Sequence, residues 1–270
     1  MSGLIKAETW KAFHSKSFFI SLAVGLGIQS FNVIYNIFYV RNGLLNSATG
    51  ADVAQTRSLF IRWISADGWS LGFNMLWFLF PLLTAFPFGA SLFHERKTGY
   101  INLMLCKITR IHYYTAKYIA VFLAGGTIIS VTLLVNLLLN ALACPAALLD
   151  SYSYVTPVLY EEMGSALFYT NPWLFSLMWI SIDFLWGGVL AGICMLTSLL
   201  FSKRIFVLAV PFAIVRLLDV ILNYNLSPSQ YFMISTYITH EAIPMFGMIG
   251  LFFIIGFGGG WIIFRKMELV

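Results

Sequence analysis

Charge is what this chain has least of. Of its 270 residues only 10% are charged, against about 25% in an ordinary soluble domain. Hydrophobic residues make up 60%, and the mean hydropathy is +0.84. That balance predicts an all-α integral membrane protein with no room for a separate soluble domain. Cysteine is nearly absent too: Cys106, Cys144 and Cys194 lie far apart and fit neither a disulfide framework nor a zinc site. His14, His94, His112 and His240 are scattered over both predicted sides of the membrane, so no single metal site can gather them. The pattern G-x-x-x-x-G-K-[ST] is missing, and no G-x-S-x-G, H-E-x-x-H or Gly-x-Gly-Asp arrangement falls within an apolar run. Glu161 and Glu162 adjoin, but in a predicted outer loop with no arginine close behind. These absences argue against catalysis, a bound cofactor or metal, and a nucleotide site. The N-terminus lacks the order of a cleavable signal peptide, and there is no internal repeat.

What the chain has is long apolar runs. Residues 1–16 are mixed, with Lys6, Lys11 and Lys16 alternating with Leu4, Ile5, Trp10 and Phe13, as in an interfacial helix. Six apolar segments follow, at about 17–40, 69–93, 116–141, 173–201, 205–223 and 244–264. Each meets the need for about 17–25 residues to cross the hydrocarbon core. The fifth is the shortest and contains Pro211, which predicts a kinked or incomplete span. With both termini on one side, that side holds Lys6, Lys11, Lys16, Arg96, Lys97, Lys107, Arg110, Lys117, Lys203, Arg204, Arg265 and Lys266, which is 12 of the 16 basic residues. Arg41, Arg57 and Arg62 face the other side, with six of the eleven acids: Asp52, Asp67, Asp150, Glu161, Glu162 and Glu241. Basic loops stay in the cytoplasm, so a multi-pass plasma-membrane protein with cytoplasmic ends is expected.

Two kinds of candidate site stand out. The stretch Glu95–Lys117 is basic yet keeps Ile101, Leu103, Met104, Leu105 and Ile108 along one side. It predicts a short amphipathic helix at about 95–110, seated on lipid or on another protein. Inside the spans, charges are functional suspects. Asp183 and Arg216 fall at similar depth and are expected to pair across helices. Arg216, Asp219 and Asn223 share one helical face, and Arg216 or Asp219 could instead face a substrate path. Gln29, Asn32 and Asn36 line one face of the first span, and Thr132, Asn136 and Asn140 one face of the third. Interhelical hydrogen bonding and a transport path both account for such stripes. Pro81 and Pro87, and the glycines at 256 and 258–260, mark places for bending or close approach. Of the outer connections, 41–68 and 142–172 are polar and aromatic, while 224–243 suits two short helical pieces dipping into the outer leaflet.

At Glu95–Lys117 the chain resembles the permease subunits of ABC-2 type ATP-binding-cassette transporters. In that family the stretch after span two reads Glu, Gly-Thr, a leucine-rich turn, Pro-x-Ser-Arg and a later Gly-Lys. Here Glu95 and Gly99 match the opening, Leu103, Met104 and Leu105 the apolar turn, Thr109 and Arg110 the Ser-Arg, and Lys117 the closing lysine. Tyr100, Ile108 and Ala116 depart from the usual Thr, Pro and Gly. The resemblance covers the whole chain in topology but about twenty residues in motif. It implies six spans, an N-terminal interfacial helix, and a coupling helix that docks into a separate ATPase subunit through Glu95, Gly99, Leu103, Leu105, Thr109, Arg110 and Lys117. It further implies two permease subunits, identical or related, with two ATPase subunits that bind ATP and magnesium. The outward cargo would be an amphipathic, bacteriocin-like peptide or a hydrophobic drug or lipid, with polysaccharide as the alternative. Gln29, Asn32, Asn36, Arg216 and Asp219 become pathway candidates. The competing expectation is a transporter or channel driven by an ion gradient, with Asp183, Arg216 and Asp219 as a proton relay. Membrane lipid is an expected partner and nucleic acid is not.

Overall fold

The computed structural model describes residues 1–46, 58–63, 66, 70–148, 158, 161–234 and 241–267. Among them all regular structure is helical, as the composition predicts. A short first helix, α1 (Ser2–Phe13), turns within two residues into α2 (Lys16–Asn46). Then come α3 (Leu59–Arg62), α4 (Leu71–Ala85), α5 (Ser91–Lys97), α6 (Tyr100–Leu105) and the long α7 (Arg110–Ala143). The second half holds α8 (Ser165–Thr170), α9 (Pro172–Leu200), α10 (Arg204–Ile221) and α11 (Ala242–Lys266). Four of these, α2, α7, α9 and α11, are long and apolar enough to cross a membrane. The other two expected spans differ. At 15 residues, α4 reaches about 22 Å, short of a hydrocarbon core about 30 Å thick. In α10, Arg204, Arg216 and Asp219 interrupt the apolar run. The segment 69–93 is not one helix, because a turn at residues 86–90 that contains Pro87 separates α4 from α5.

The core is built on α7 and α9. Glycine lets their backbones approach: a Cβ on Gly125 would lie 2.8 Å from the Gly187 carbonyl and 2.5 Å from the Ala191 Cβ. Small residues at such a contact suit helix packing in lipid, where dispersion contacts replace the hydrophobic drive. Around this seam Phe80, Phe175, Trp179 and Trp186 are buried. Two 3₁₀ turns, Tyr224–Leu226 and Pro228–Phe232, follow α10. The second drives Phe232 inward, stacked on Phe80 at 4.5 Å and edge-on to Trp186 at 5.1 Å. Two short helical pieces thus follow α10 in the segment 224–243, while residues 235–240 lie outside the described residues. So do 47–57, 64–65, 67–69, 149–157 and 159–160 of the two longer outer connections.

Three helices break their own hydrogen-bond ladder, and each break is repaired from a neighbour. A proline has no N–H, so the carbonyl four residues before it loses its donor. For Pro81 that carbonyl is Trp77, which accepts from Arg216 Nη2 at 3.1 Å. For Pro211 it is Val207, which the Thr197 hydroxyl reaches at 3.0 Å and the Cys194 thiol at 3.3 Å. In α11 the turn Ile254–Gly259 is π-helical, and the Tyr114 hydroxyl lies 3.1 Å from the Gly256 carbonyl and 3.2 Å from that of Phe257. Left buried without a donor, each such carbonyl would cost about 1–3 kcal/mol. Pro211 thus lies inside a continuous helix whose freed carbonyl is satisfied from α9.

Candidate functional site

One end of the bundle gathers α1, α5, α6 and the start of α7 around a buried lysine. Lys117 lies in the eighth position of α7 and is fully buried. Its Nζ donates to Glu95 Oε1 at 2.5 Å and to Glu8 Oε2 at 2.7 Å, and it also sits 4.6 Å from the centre of the Phe88 ring. The Tyr113 hydroxyl, one turn earlier, donates to Glu95 Oε2. Glu8 Oε1 accepts from Lys11, which also reaches the Tyr100 hydroxyl. Burial disfavours the Glu8 charge, but Lys117 and Lys11 outweigh it and hold its carboxyl below the ordinary 4.5. Burial likewise works against the Lys11 charge, and Glu8 and Tyr100 overcome it, raising Lys11 above 10.5. Three segments distant in sequence are thereby fixed to one another by charge.

Glu95 and Lys117, the opening and closing positions of the motif, are in contact, a pairing that the sequence does not suggest. Other expectations change. The stretch 95–110 is two short helices, α5 and α6, with Gly99 between them at φ 72°. Only glycine adopts that left-handed conformation without strain, so the amphipathic helix is a bent pair. Lys117 is not a water-facing residue at the mouth of a span, because burial among two carboxylates and a tyrosine holds it inside. Arg96 and Arg110 are also committed within the chain. Arg96 donates to the carbonyls of Leu199 at 2.6 Å and Phe201 at 2.9 Å, closing the C-terminus of α9. Arg110 donates to those of Arg265 at 2.8 Å and Met267 at 3.1 Å, closing α11. Both cations thus meet the negative end of a helix dipole. Thr109 precedes α7 and bonds His112 at 2.7 Å. Leu105 is half-buried against the Tyr113, Tyr114 and Phe264 cluster. What remains outward is Leu103, 68% exposed, flanked by exposed Lys97, Lys107 and Cys106.

The two asparagine stripes meet. Asn136 donates to Asn32 at 3.0 Å, Asn36 to Asn140 at 3.1 Å, Asn32 to Ser70 at 2.8 Å, and Asn36 to the Arg62 carbonyl at 2.6 Å. Gln29, Asn32 and Asn36 are wholly buried in the chain. Asn32 and Asn36 tie α2 to its neighbours, whereas the Gln29 side-chain amide has no hydrogen-bond partner among the described residues. The expected Asp183–Arg216 pair is also absent. Arg216 pairs with Asp219 on its own helix face at 3.0 Å, the cheaper partner at i+3, and turns its other nitrogen to α4. Asp219 in turn accepts from Ser227 Oγ at 2.5 Å and Ser229 N at 3.1 Å, and from the Ser229 hydroxyl, pinning the second 3₁₀ turn to α10. An open groove of about 400 Å³ lies beside Arg216, lined with Phe73, Trp77, Phe78 and Met233. Asp183 is fully buried in α9, and neither carboxyl oxygen has a hydrogen-bond partner among the described residues.

Sequence reasoning missed Glu8. It reads as one polar residue in a mixed interfacial stretch, and its spacing of four from Ala12, the other buried residue of α1, is the only hint of an inward face. Compared with family models, curated proteins and solved structures, the chain has no match.

Proposed function

We propose that this chain is the permease subunit of an ATP-driven exporter of the ABC-2 type. It would cross the plasma membrane six times, through the four long helices and the shorter α4 and α10, with both ends in the cytoplasm. The observation that carries the reading is the bent pair α5–α6. Glu95 bonds it to Lys117 of α7, Arg96 to the end of α9, and Tyr100 accepts from Lys11 of α1, while Leu103 and the exposed Lys97 and Lys107 face outward. A projection so tied can pass the motion of a bound ATPase to several helices at once. Two permease subunits and two ATPase subunits carrying ATP and magnesium would form the complex. The cargo in this reading is an amphipathic peptide or a hydrophobic drug or lipid, with polysaccharide as the alternative. Affinity purification of the full chain from its own cells is expected to bring down a protein with the P-loop pattern. Leu103→Asp should remove that protein while leaving the chain inserted and folded. Recovery of the ATPase at wild-type level with Leu103→Asp would disprove docking at α6, and no ATPase at all would disprove the exporter reading.

Asp183 favours a second reading, an ion-gradient-driven transporter. A buried carboxyl without a partner in a membrane span is a place for a proton to bind and leave. Asp183→Asn would abolish pH-gradient-driven flux in that case and leave ATP-driven export unchanged.

A further inference from the structure

Most of the outer face of α1 is uncovered among the described residues, with Phe13 packed edge-on against Phe18 of α2. Glu8 and Ala12 turn toward α7. Ser2, Ile5, Lys6, Thr9, Trp10, Phe13 and His14 form the opposite stripe, at helical spacings of three and four, around an open trough of about 560 Å³. Its floor is apolar, and the one acid of the helix, Glu8, is turned away and bonded to two lysines. Trp10 is 63% exposed and stacked on His14 at 4.4 Å. Two residues later α2 begins with exposed Lys16, followed by exposed Phe19 and Ile20 on a helix apolar enough to cross the bilayer. That short link holds the stripe at the boundary between lipid tails and water.

We infer that this stripe binds anionic phospholipid headgroups of the leaflet in which α2 begins. The phosphate would sit at Lys6 on the trough, with exposed Lys16 at the start of α2 adding positive charge and the indole of Trp10 at the level of the glycerol. An interfacial indole, snorkelling lysines and an apolar floor together suit that ligand. A docked protein segment fits less well, because the exposed surface continues directly into the lipid-facing side chains of α2. The inference stands apart from the exporter reading, since it concerns α1 and needs no ATPase.

The test uses the full chain, purified and placed in phosphatidylcholine bilayers with and without phosphatidylglycerol. Native mass spectrometry should find phosphatidylglycerol retained in preference to phosphatidylcholine. Lys6→Gln with Lys16→Gln should lower that preference about twenty-five-fold, taking roughly a fivefold loss for each lysine. Lys6→Arg with Lys16→Arg should keep it, which separates lost charge from lost folding. Brominated phosphatidylglycerol should quench the fluorescence that disappears in Trp10→Phe. Equal retention of both lipids by the wild-type chain, or an unchanged preference in the glutamine variant, would overturn the inference. A partner protein cross-linked through position 10 with no lipid preference would overturn it as well.

Discussion

Lys117 shows why single residues matter so much in this chain. Its ammonium is removed from water and is matched by two carboxylates, one of which also accepts from Tyr113. Losing one partner of a buried pair leaves the others charged without compensation, at about 3–5 kcal/mol. Lys117→Met is therefore expected to lower the melting temperature in detergent sharply. Adding Glu8→Gln and Glu95→Gln to it should restore much of the loss, since the remaining groups are then neutral. If Lys117→Met melts with the wild type, the cluster does not hold the three segments together. Arg96 and Arg110 make the same point from another direction. Arginine's planar fork spans two carbonyls in one geometry, so each of them closes a helix end that a lone lysine would reach with a single point charge.

At the scale of the helix, the recurring device is a broken ladder mended by a neighbour. α4 is mended by α10, α10 by α9, and α11 by α7. The freed carbonyls of these elements are thus satisfied by tertiary contacts and not within their own helices. This can be measured at Pro81. Pro81→Ala returns a backbone donor to the Trp77 carbonyl, so Arg216 is no longer needed there. Arg216→Gln should therefore cost less in the Pro81→Ala background than in the wild type, by about 1 kcal/mol. A double-mutant cycle of thermal melts gives the difference directly. Strict additivity would mean that the Arg216–Trp77 contact contributes nothing, and that Arg216 serves Asp219 alone.

For the whole molecule, the helical class and the four long spans were legible because apolar runs of that length have no other use. The two stripes of asparagine were legible as faces, since helical spacing fixes what shares a face. Which neighbour each face meets was not legible. Asp183 and Arg216 fall at similar depth by counting, but depth leaves the angle around the helix open, and Arg216 turned to Asp219 and α4. The break at Gly99 was hidden because the apolar stripe runs on across it in the sequence. Sidedness is the remaining global property, and one thiol reports it. Cys106 is exposed, whereas Cys144 and Cys194 are buried. A membrane-impermeant maleimide should label one site per chain in inside-out vesicles and none in sealed right-side-out cells, with Cys106→Ser as the control. Labelling from the outside would invert the orientation drawn from the basic residues.

The mended ladders also constrain the order in which this chain can change over generations. Pro81 and Arg216 form one inherited unit, as do Pro211 and the Thr197–Cys194 pair. If the proline is replaced first, the donor becomes dispensable and is free to drift. If the donor is lost first, a carbonyl of a buried residue is left without its donor, and that lineage must pass through a less stable ancestor. Descendants should therefore hold both members or neither, with the donor alone as the common intermediate and the proline alone the rare one.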